Sequence, residues 1–531
     1  MNEHSGASQS IWMATDTLPK FSALNENARA DVCVIGAGIT GISTAYMLAR
    51  EGKSVIVLDD GEICSAETER TTAHLSNAFD DRYYNMEHMH GERAAQLIAD
   101  SHTTAISRIE LNVREEKIDC DFERLDGFLF VPPDCSTELL EEELKASHRA
   151  GLEVEWVDRA PLDFDTGPCL RYPRQGQFHV LKYIAGLLPR ILARGGKIFC
   201  NTRVTGVKDG SPCVVETASG KKITCDAVVV ATGTPVNDWV KMHTKQAAYR
   251  SYVIGARIPR NSVRRALYWD TLIPYHYVRL QTNVSASGEI YDVLIVGGED
   301  HKTGQPGESF LEGDKFHEPQ KSDESSLPFM NLESWARQRF PMIEEIEFRW
   351  SGQVFEPVDH VAFIGRNPGD KNIYIATGDS GQGMTHGTIA SMLIPDLISG
   401  RPNDWENLYD PSRKTLRAAK QFARENLNVA GLYGEWLSAG EVHSMDEIAW
   451  DSGAVIRRGL KKIAVYKSES GEVHQCSATC SHLGCIVHWN KVEKTWDCPC
   501  HGSRFDKFGT VVNGPAITDL ERIEEKREVP A

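Results

Sequence analysis

No stretch of this 531-residue sequence approaches 18 uninterrupted apolar residues, so nothing in it reads as a membrane span. Its first twenty residues, MNEHSGASQSIWMATDTLPK, lack the basic start and apolar run of a secretory leader. Positive charge is scarce: 58 Lys and Arg face 75 Asp and Glu, a formal net charge of −17, with the acidic residues spread along the chain. That balance excludes non-specific nucleic-acid binding, which needs basic patches to neutralise phosphates. Internal repeats and low-complexity tracts are absent, and no Ser/His/Asp or paired-carboxylate constellation can be read from spacing. A disulfide framework is missing too. Of thirteen cysteines, eight (Cys33, Cys64, Cys120, Cys135, Cys169, Cys200, Cys213 and Cys225) stand singly, the pattern of buried free thiols in a reducing compartment. The expectation is a soluble, cytoplasmic protein, too long for one core and therefore built from two to four domains.

What is present begins with ADVCVIGAGITGISTAYMLAREGKSVIVLDD, Ala30 to Asp60. The apolar run Val32 to Ile35 has the length and β-branched content of a buried strand. Gly36, Gly38 and Gly41 follow it, then a helix whose first turn carries Ile39 and Thr40, a turn at Gly52, and a second strand from Ser54 to Leu58. In this arrangement Gly36 makes the tight turn, Gly38 lets backbone approach a pyrophosphate, and Gly41 permits close helix-to-strand packing. The helix start then faces the phosphates, and Asp59, with Asp60 beside it, can accept hydrogen bonds from the adenosine ribose.

Two later segments decide which dinucleotide. CDAVVVATGTPV (Cys225 to Val236) is another buried strand, and NIYIATGDSGQGMTHGTIASMLIPDLISG (Asn372 to Gly400) is a strand, a glycine-rich turn and a helix. A nicotinamide enzyme has no need for a late strand-to-helix element returning to its cofactor; an FAD enzyme of the two-dinucleotide-binding class does. Residues 30 to 400 resemble the FAD-dependent oxidoreductase superfamily of D-amino acid oxidase, glycine oxidase and sarcosine oxidase. The resemblance implies an adenine contact at Val204, cofactor contacts at Thr232 and Gly233, Asp379 near the ribityl chain or pyrophosphate, and Gly381, Gly383 and Met384 passing under the isoalloxazine. The helix that follows would aim its positive end at the flavin. In ETERTTAHLS, the family's loop after the second strand, Arg70, Thr71 and Thr72 are expected to touch FAD. His74 lies where some members attach flavin covalently; packing within the loop is the other reading.

The middle of the chain carries a vaguer signal. In the resembling family it forms an antiparallel sheet that roofs the flavin and supplies the substrate pocket. Tyr252, Tyr275, His276, Tyr277, Arg279, His301, Arg349, Gln353 and His360 are pocket candidates, with Tyr275, His276 and His360 put forward as catalytic. Tyr275, His276 and Tyr277 alternate along one strand, so a single face can look at the flavin. No arginine is assignable to a substrate carboxylate, which leaves the choice between amine and amino acid open.

Near the end stand CSHLGC, Cys480 to Cys485, and CPCHGS, Cys498 to Ser503. Two Cys and two His at this spacing suit tetrahedral zinc or a [2Fe-2S] cluster in which histidines replace two cysteines on one iron. Zinc leaves Cys485 and Cys500 unexplained. The text resembles Rieske proteins of the cytochrome bc kind, which implies Cys480, His482, Cys498 and His501 as cluster ligands and a disulfide between Cys485 and Cys500. It also implies that Ser503 donates a hydrogen bond to cluster sulfur and that GPA at 514 to 516 covers the cluster. Phe505 stands where high-potential members have tyrosine, so a potential below the top of the Rieske range, about +300 mV, is expected.

The expected fold is an α/β Rossmann-like FAD-binding domain of the two-dinucleotide-binding type, an α+β antiparallel-sheet substrate domain, and an all-β Rieske domain. The flavin unit is assigned residues 1–400, with FAD-binding parts at about 28–80, 196–240 and 355–400 and substrate parts at about 81–195 and 241–354. Residues 401–435 are read as a helical connector, where YDPSRKTLRAAKQFAREN is a helix that Asp410 caps and Pro411 opens, and 436–531 as the Rieske domain. With no second GxGxxG after a strand, NAD(P)H is not expected as direct donor. The expected function is a flavin dehydrogenase that oxidises a C–N bond of an amine or amino acid. Electrons would pass from FAD to the cluster and on to an external one-electron partner such as a ferredoxin or cytochrome. An oxygen-using oxidase with the Rieske module as docking or redox-sensing element, and a reductase fed through the cluster, are the alternatives.

Overall fold

The computed structural model describes residues 5–132, 135–236, 242–305 and 326–523. Five short runs rich in β-branched residues form the parallel part of a six-stranded sheet. Its spatial order is Phe363–Arg366, Ile373–Thr377, Ala227–Val230, Val32–Ile35, Val55–Leu58 and Lys197–Phe199. Only Phe363–Arg366 runs antiparallel to its neighbour. Every residue of Val32–Ile35 is buried, as a central strand covered on both faces requires. The helices Ile39–Arg50 and Gly383–Ile398 both start at strand ends of this sheet, so the late strand and helix return to the opening fingerprint as the sequence suggested.

The second sheet has nine strands and is mostly antiparallel. Its main path runs from Ile346–Pro357 through Gln246–Ile258, Ile290–Lys302 and His276–Val284 to Leu267–Asp270, Glu123–Phe130, Cys169–Gln177 and His74–Leu75. One junction is parallel, Leu267–Asp270 beside Glu123–Phe130. The carboxy-terminal unit is all-β, with a three-stranded sheet (Ser452–Arg458, Lys461–Lys467, Val473–Ser477) and a four-stranded one (His488–Asn490, Thr495–Asp497, Arg504–Asp506, Val511–Asn513). Trp496, Phe505 and Val487 fill its core together with Cys480, Cys485, Cys498 and Cys500. Among the described residues no helix is long and apolar enough to cross a membrane.

The connector differs from its sequence reading. Its helix is Ala419–Leu432, entered through a single turn at Leu416–Ala418, and Asp410 does not cap it. Asp410 instead closes a local turn, accepting from the Ser412 backbone N–H at 2.7 Å. Long-range bonds explain the delay. Arg413 donates to both oxygens of Asp359 (2.9 and 2.8 Å) and Thr415 donates to the same carboxylate at 2.6 Å, which ties the chain before the helix to the flavin unit.

The carboxy-terminal unit is clamped to the rest of the chain by one buried carboxylate. Glu493, in the turn between His488–Asn490 and Thr495–Asp497, has a side chain 0% exposed and lies 3.3 Å from Arg70 and 3.3 Å from Arg250. The Ser8 hydroxyl (2.7 Å), the Ser8 backbone N–H (3.2 Å) and the Ser351 hydroxyl also donate to it. Arg70 in turn donates to the carbonyls of Gly6 (2.8 Å), Ser8 (3.0 Å) and Ser351 (3.2 Å). Burial acts to raise the Glu493 pKa, but Arg70, Arg250 and Arg504 outweigh it and hold the carboxyl at about 2. A buried charge is tolerated only when paired and hydrogen-bonded in this way.

Candidate functional site

One elongated cavity collects the residues assigned to a dinucleotide. Gly36, Gly38, Ile39 and Thr40 line it from the fingerprint, Asp59, Asp60 and Val204 from the next strand and its neighbour, and Thr232 and Gly233 from the third segment. Asp379, Gly381, Gly383 and Met384 complete the wall with Arg70, Thr71 and Thr72. Gly36 has φ +101°, and a Cβ there would lie 2.3 Å from the Ala231 carbonyl oxygen. Gly41 is behind the wall, where a Cβ would come within 1.8 Å of the Gly36 carbonyl oxygen, so its role is packing. Asp59 accepts from the Ala37 N–H (2.6 Å) and the Gly61 N–H (2.9 Å). Burial and the neighbouring Asp60 push its carboxyl up to about 7 against those two donors. Two helices begin at this wall, and neither is capped by its own N-cap side chain, at Gly38 or at Gln382. Helix starts, backbone without side chains and an acidic strand end form a cradle that fits the phosphates and adenosine of FAD.

The pocket candidates divide sharply. Tyr277 and Gln353 line the cavity, joined by Ser251 and Phe355; the Tyr277 and Ser251 hydroxyls are 2.7 Å apart. His276 does not line it: Nδ1 is bound to Asp270 at 2.9 Å and the ring stacks on Trp335 at 4.4 Å. Tyr275 packs beside Tyr277, ring centroids 5.6 Å apart, outside the lining. His360 also stands back from the wall, 3.0 Å from Asp81, whose charge raises it to about 9 against the effect of burial. Arg279 spends its guanidinium on the carbonyls of Thr72 (3.0 Å), Ala73 (2.8 Å) and Phe178 (3.2 Å), and Arg349 pairs with Glu333 at 2.9 Å. Tyr252 and His301 stack on each other at 5.2 Å. The two arginines in the lining are both paired with carboxylates: Arg70 with Glu493, Arg203 with Asp519 at 3.1 Å and with Asp60 of the lining at 3.9 Å. His74 lies a layer behind, its Nδ1 3.0 Å from the Thr72 hydroxyl and its ring 5.6 Å from Tyr277.

In the carboxy-terminal unit the expected ligand residues come together. Contact with Cys498 lowers the Cys480 thiol pKa, burial opposes it, and backbone N–H groups of His482 and Leu483 with the Ser503 hydroxyl lower it further. The rings of His482 and His501 stand 5.0 Å apart at 86°. Burial, with His482 and His243 nearby, pushes His501 down to about 3, which keeps it neutral as a metal ligand must be. Its Nδ1 is buried and makes no hydrogen bond. Cys485 and Cys500 form a disulfide with Cα atoms 6.4 Å apart, and Cys498 Sγ lies within 4.8 Å of that pair, so the disulfide closes one side of the site. The Ser503 hydroxyl accepts from the Ala516 N–H at 3.0 Å, leaving its own hydrogen for Cys480 sulfur. Two cysteines, two histidines and a serine donor suit a [2Fe-2S] cluster with mixed ligands.

How these two sites face each other is not legible in the sequence. His482 and His501, only 6% and 7% exposed, turn toward the flavin unit. His243 of that unit covers them, its ring 4.9 Å from His482 and 6.3 Å from His501. Gly514 and Ala516, of the segment 514 to 516 expected to cover the cluster, also line the dinucleotide cavity, together with Val511, Val512, Asn513 and Ile517 beside them. Arg203 anchors this loop through the Val511 carbonyl (3.3 Å), and Asn513 donates to Glu67 at 2.8 Å. The Gln353 side-chain amide donates to the Gly502 carbonyl at 2.9 Å.

Comparison with known proteins agrees with both halves. Residues 31–397 match the family model FAD dependent oxidoreductase, and residues 435–524 match the Rieske [2Fe-2S] domain. The Bacillus subtilis (strain 168) protein YhfW, named for a Rieske 2Fe-2S iron-sulfur centre, is 31% identical over 525 residues, 98% of each chain. Gamma-glutamylputrescine oxidoreductase of Escherichia coli (strain K12) is 27% identical over 394 residues, 72% of this chain and 86% of its own. Among solved structures, glycine oxidase from Geobacillus kaustophilus superposes with a TM-score of 0.59 at 17% identity, covering 73% of this chain and all of its own, 100%. That likeness concerns the fold.

Proposed function

The chain belongs to the FAD dependent oxidoreductase family and carries a Rieske [2Fe-2S] domain, and from that premise we propose that it is an amine dehydrogenase whose electrons leave through the cluster. When bound, FAD supplies hydride acceptance from a carbon next to nitrogen and the cluster supplies one-electron steps. Each turnover removes two electrons and two protons from R2CH–NHR′, leaving an imine that water hydrolyses to a carbonyl and an amine. Two equivalents of an external one-electron acceptor, of ferredoxin or cytochrome type, take the electrons.

The observation that carries this reading is the docking: the histidine edge of the cluster site faces the flavin unit, and one loop, Val511 to Ile517, borders both sites. A sensing appendage has no need of that arrangement. Asn513, through Glu67, and Arg203 hold the loop at the cavity wall. Ser251 and Tyr277, sharing a hydrogen bond, orient a substrate against the cavity wall. Both lining arginines are already paired with the protein's own carboxylates, Arg70 with Glu493 and Arg203 with Asp519 and Asp60, whereas a guanidinium is the natural clamp for a substrate carboxylate. This favours an amine over an α-amino acid, in keeping with the amine in the name of the Escherichia coli relative.

An anaerobic screen of amines and α-amino acids against flavin bleaching tests the assignment. Bleaching by amines such as gamma-glutamylputrescine, and by no α-amino acid, is expected. Bleaching by reduced ferredoxin and by no amine would reverse the direction of flow. Full turnover with air alone, yielding hydrogen peroxide, would make the protein an oxidase.

A further inference from the structure

We propose that the outward face of the connector helix Ala419–Leu432, with Tyr433 and Leu483 at its end, is the docking surface for the external one-electron acceptor, and that this acceptor is a small acidic carrier protein. The inference rests on the reading above that electrons leave through the cluster. The histidine edge of the cluster site is not open to a carrier: His482 and His501 are buried, and His243 of the flavin unit lies against them. A carrier must approach from another side, and the connector marks one.

The helix divides into two faces. Val429 and Leu432 pack on the core of the cluster unit, Asn426 donates to the Thr244 carbonyl at 3.0 Å, and Glu425 pairs with Lys302 at 2.9 Å. Lys420, Arg424, Leu427 and Gly431, spaced by three or four residues, share the opposite face. All four are exposed, Leu427 to 71%. This face ends on the ligand loop. The Tyr433 hydroxyl donates to the Leu483 carbonyl at 2.7 Å, and the Trp436 indole N–H donates to the Gly484 carbonyl at 3.0 Å. Leu483 follows the ligand His482 directly in the chain, and its side chain and that of Tyr433 are both exposed. A protein seated on the strip therefore rests against the loop that holds the cluster.

Charge selects the carrier. The chain carries −17 overall, yet from Lys414 to Tyr433 its one acid is Glu425, paired with Lys302, against Lys414, Arg417, Lys420 and Arg424. At the end of the strip Glu435 is paired with His488 at 2.9 Å, and Asp519 with Arg203 at 3.1 Å. A basic, partly apolar strip attracts a carrier of negative surface, and repulsion from the acidic remainder confines that carrier to the strip. Each encounter oxidises the cluster by one electron and reduces the carrier by one, with no bond or proton exchanged; two encounters discharge one two-electron turnover.

The test uses the full chain loaded with both cofactors, photoreduced without oxygen in the presence of EDTA. It is then mixed in the dark with a cytochrome c of net negative charge or with the basic mitochondrial cytochrome c, and the visible band of the cluster follows its reoxidation. We expect the acidic cytochrome to react faster at low ionic strength and to slow as salt is added. Lys420→Glu with Arg424→Glu should slow that reaction about tenfold at low salt, with flavin photoreduction and the electron-spin signal of the reduced cluster unchanged. Lys197→Glu with Lys208→Glu makes the same change in net charge on strands of the flavin unit and should not slow it. Equal slowing by both pairs, slowing by neither, or faster reaction with the basic cytochrome would overturn the docking surface. So would a wild-type dimer that Lys420→Glu with Arg424→Glu dissociates, which would give the face to a second copy of the chain. A flavin that photoreduces beside a cluster that stays oxidised would instead overturn the reading on which the proposal rests.

Discussion

Replacing Glu493 by glutamine removes one negative charge from between two buried guanidiniums and leaves the shape of the side chain almost unchanged. At 3.3 Å and an effective dielectric constant of about 20, each Arg–Glu attraction is about 5 kcal/mol, much of it offset by the cost of burying the ions. Deleting one member of such a group costs about 3–5 kcal/mol, because Arg70 and Arg250 remain buried without a counter-charge. The amide also offers only one acceptor oxygen where the carboxylate has two, and of its neighbours only the Ser8 and Ser351 hydroxyls can accept from its NH2, not Arg70, Arg250 or the Ser8 N–H. Acid gives an independent figure: the folded pKa of about 2 lies below the usual 4.5 for glutamate, and that difference corresponds to about 3 kcal/mol. The sign follows from a depressed carboxyl, whose stabilisation is fully present above pH 4.5 and disappears as pH falls toward 2. A loss of about 3 kcal/mol raises the undocked fraction roughly a hundredfold. Hydrogen exchange over residues 487–517 and over the amino-terminal segment 5–15 reads it directly: both should accelerate in Glu493→Gln at pH 7 and in the wild type below pH 4, with FAD released faster. Identical exchange in variant and wild type at pH 7 would refute the clamp.

Ser503→Ala should lower the cluster's midpoint potential by about 60 mV, since a hydrogen bond to a charged sulfur is worth about 1.5 kcal/mol and 59 mV is tenfold for one electron; Phe505→Tyr should raise it, and protein-film voltammetry checks both. Denaturation should release all FAD into solution, because His74 does not line the cavity; fluorescence that stays with the chain on a denaturing gel would contradict this.

The fingerprint was legible because each glycine answers a local steric demand. Gly36 and Gly41 leave no room for a Cβ, and such demands repeat wherever a strand turns into a helix over a phosphate. The cluster residues were legible for a similar reason: ligand spacing on two short loops is a local constraint. Residues whose role is set by a distant partner were not. Arg70 was expected at the cofactor and its backbone does border the cavity, but its guanidinium is claimed by Glu493, 423 positions away. Glu493 itself, in WNKVEKTWD, reads as one more surface charge. The connector helix starts at Ala419, eight residues after the Pro411 start that Asp410 suggested, because Asp359 captures Arg413 and Thr415 from outside the segment. His276 and His360 look like catalytic histidines in the text and are bound to Asp270 and Asp81 in the fold. His243 and the loop Val511 to Ile517 entered the site only once the two units were docked, and Ser251 only once its strand was set beside Tyr277.

The central claim is that flavin electrons reach the cluster within one chain. Rapid mixing of the fully loaded protein with gamma-glutamylputrescine, or with whichever amine bleaches the flavin, under anaerobic conditions and followed by freeze-quenching, tests it most directly. The expected result is loss of flavin absorbance followed by the electron-spin signal of a reduced Rieske cluster, at up to one spin per chain. A flavin that bleaches completely while the cluster stays oxidised would contradict the account.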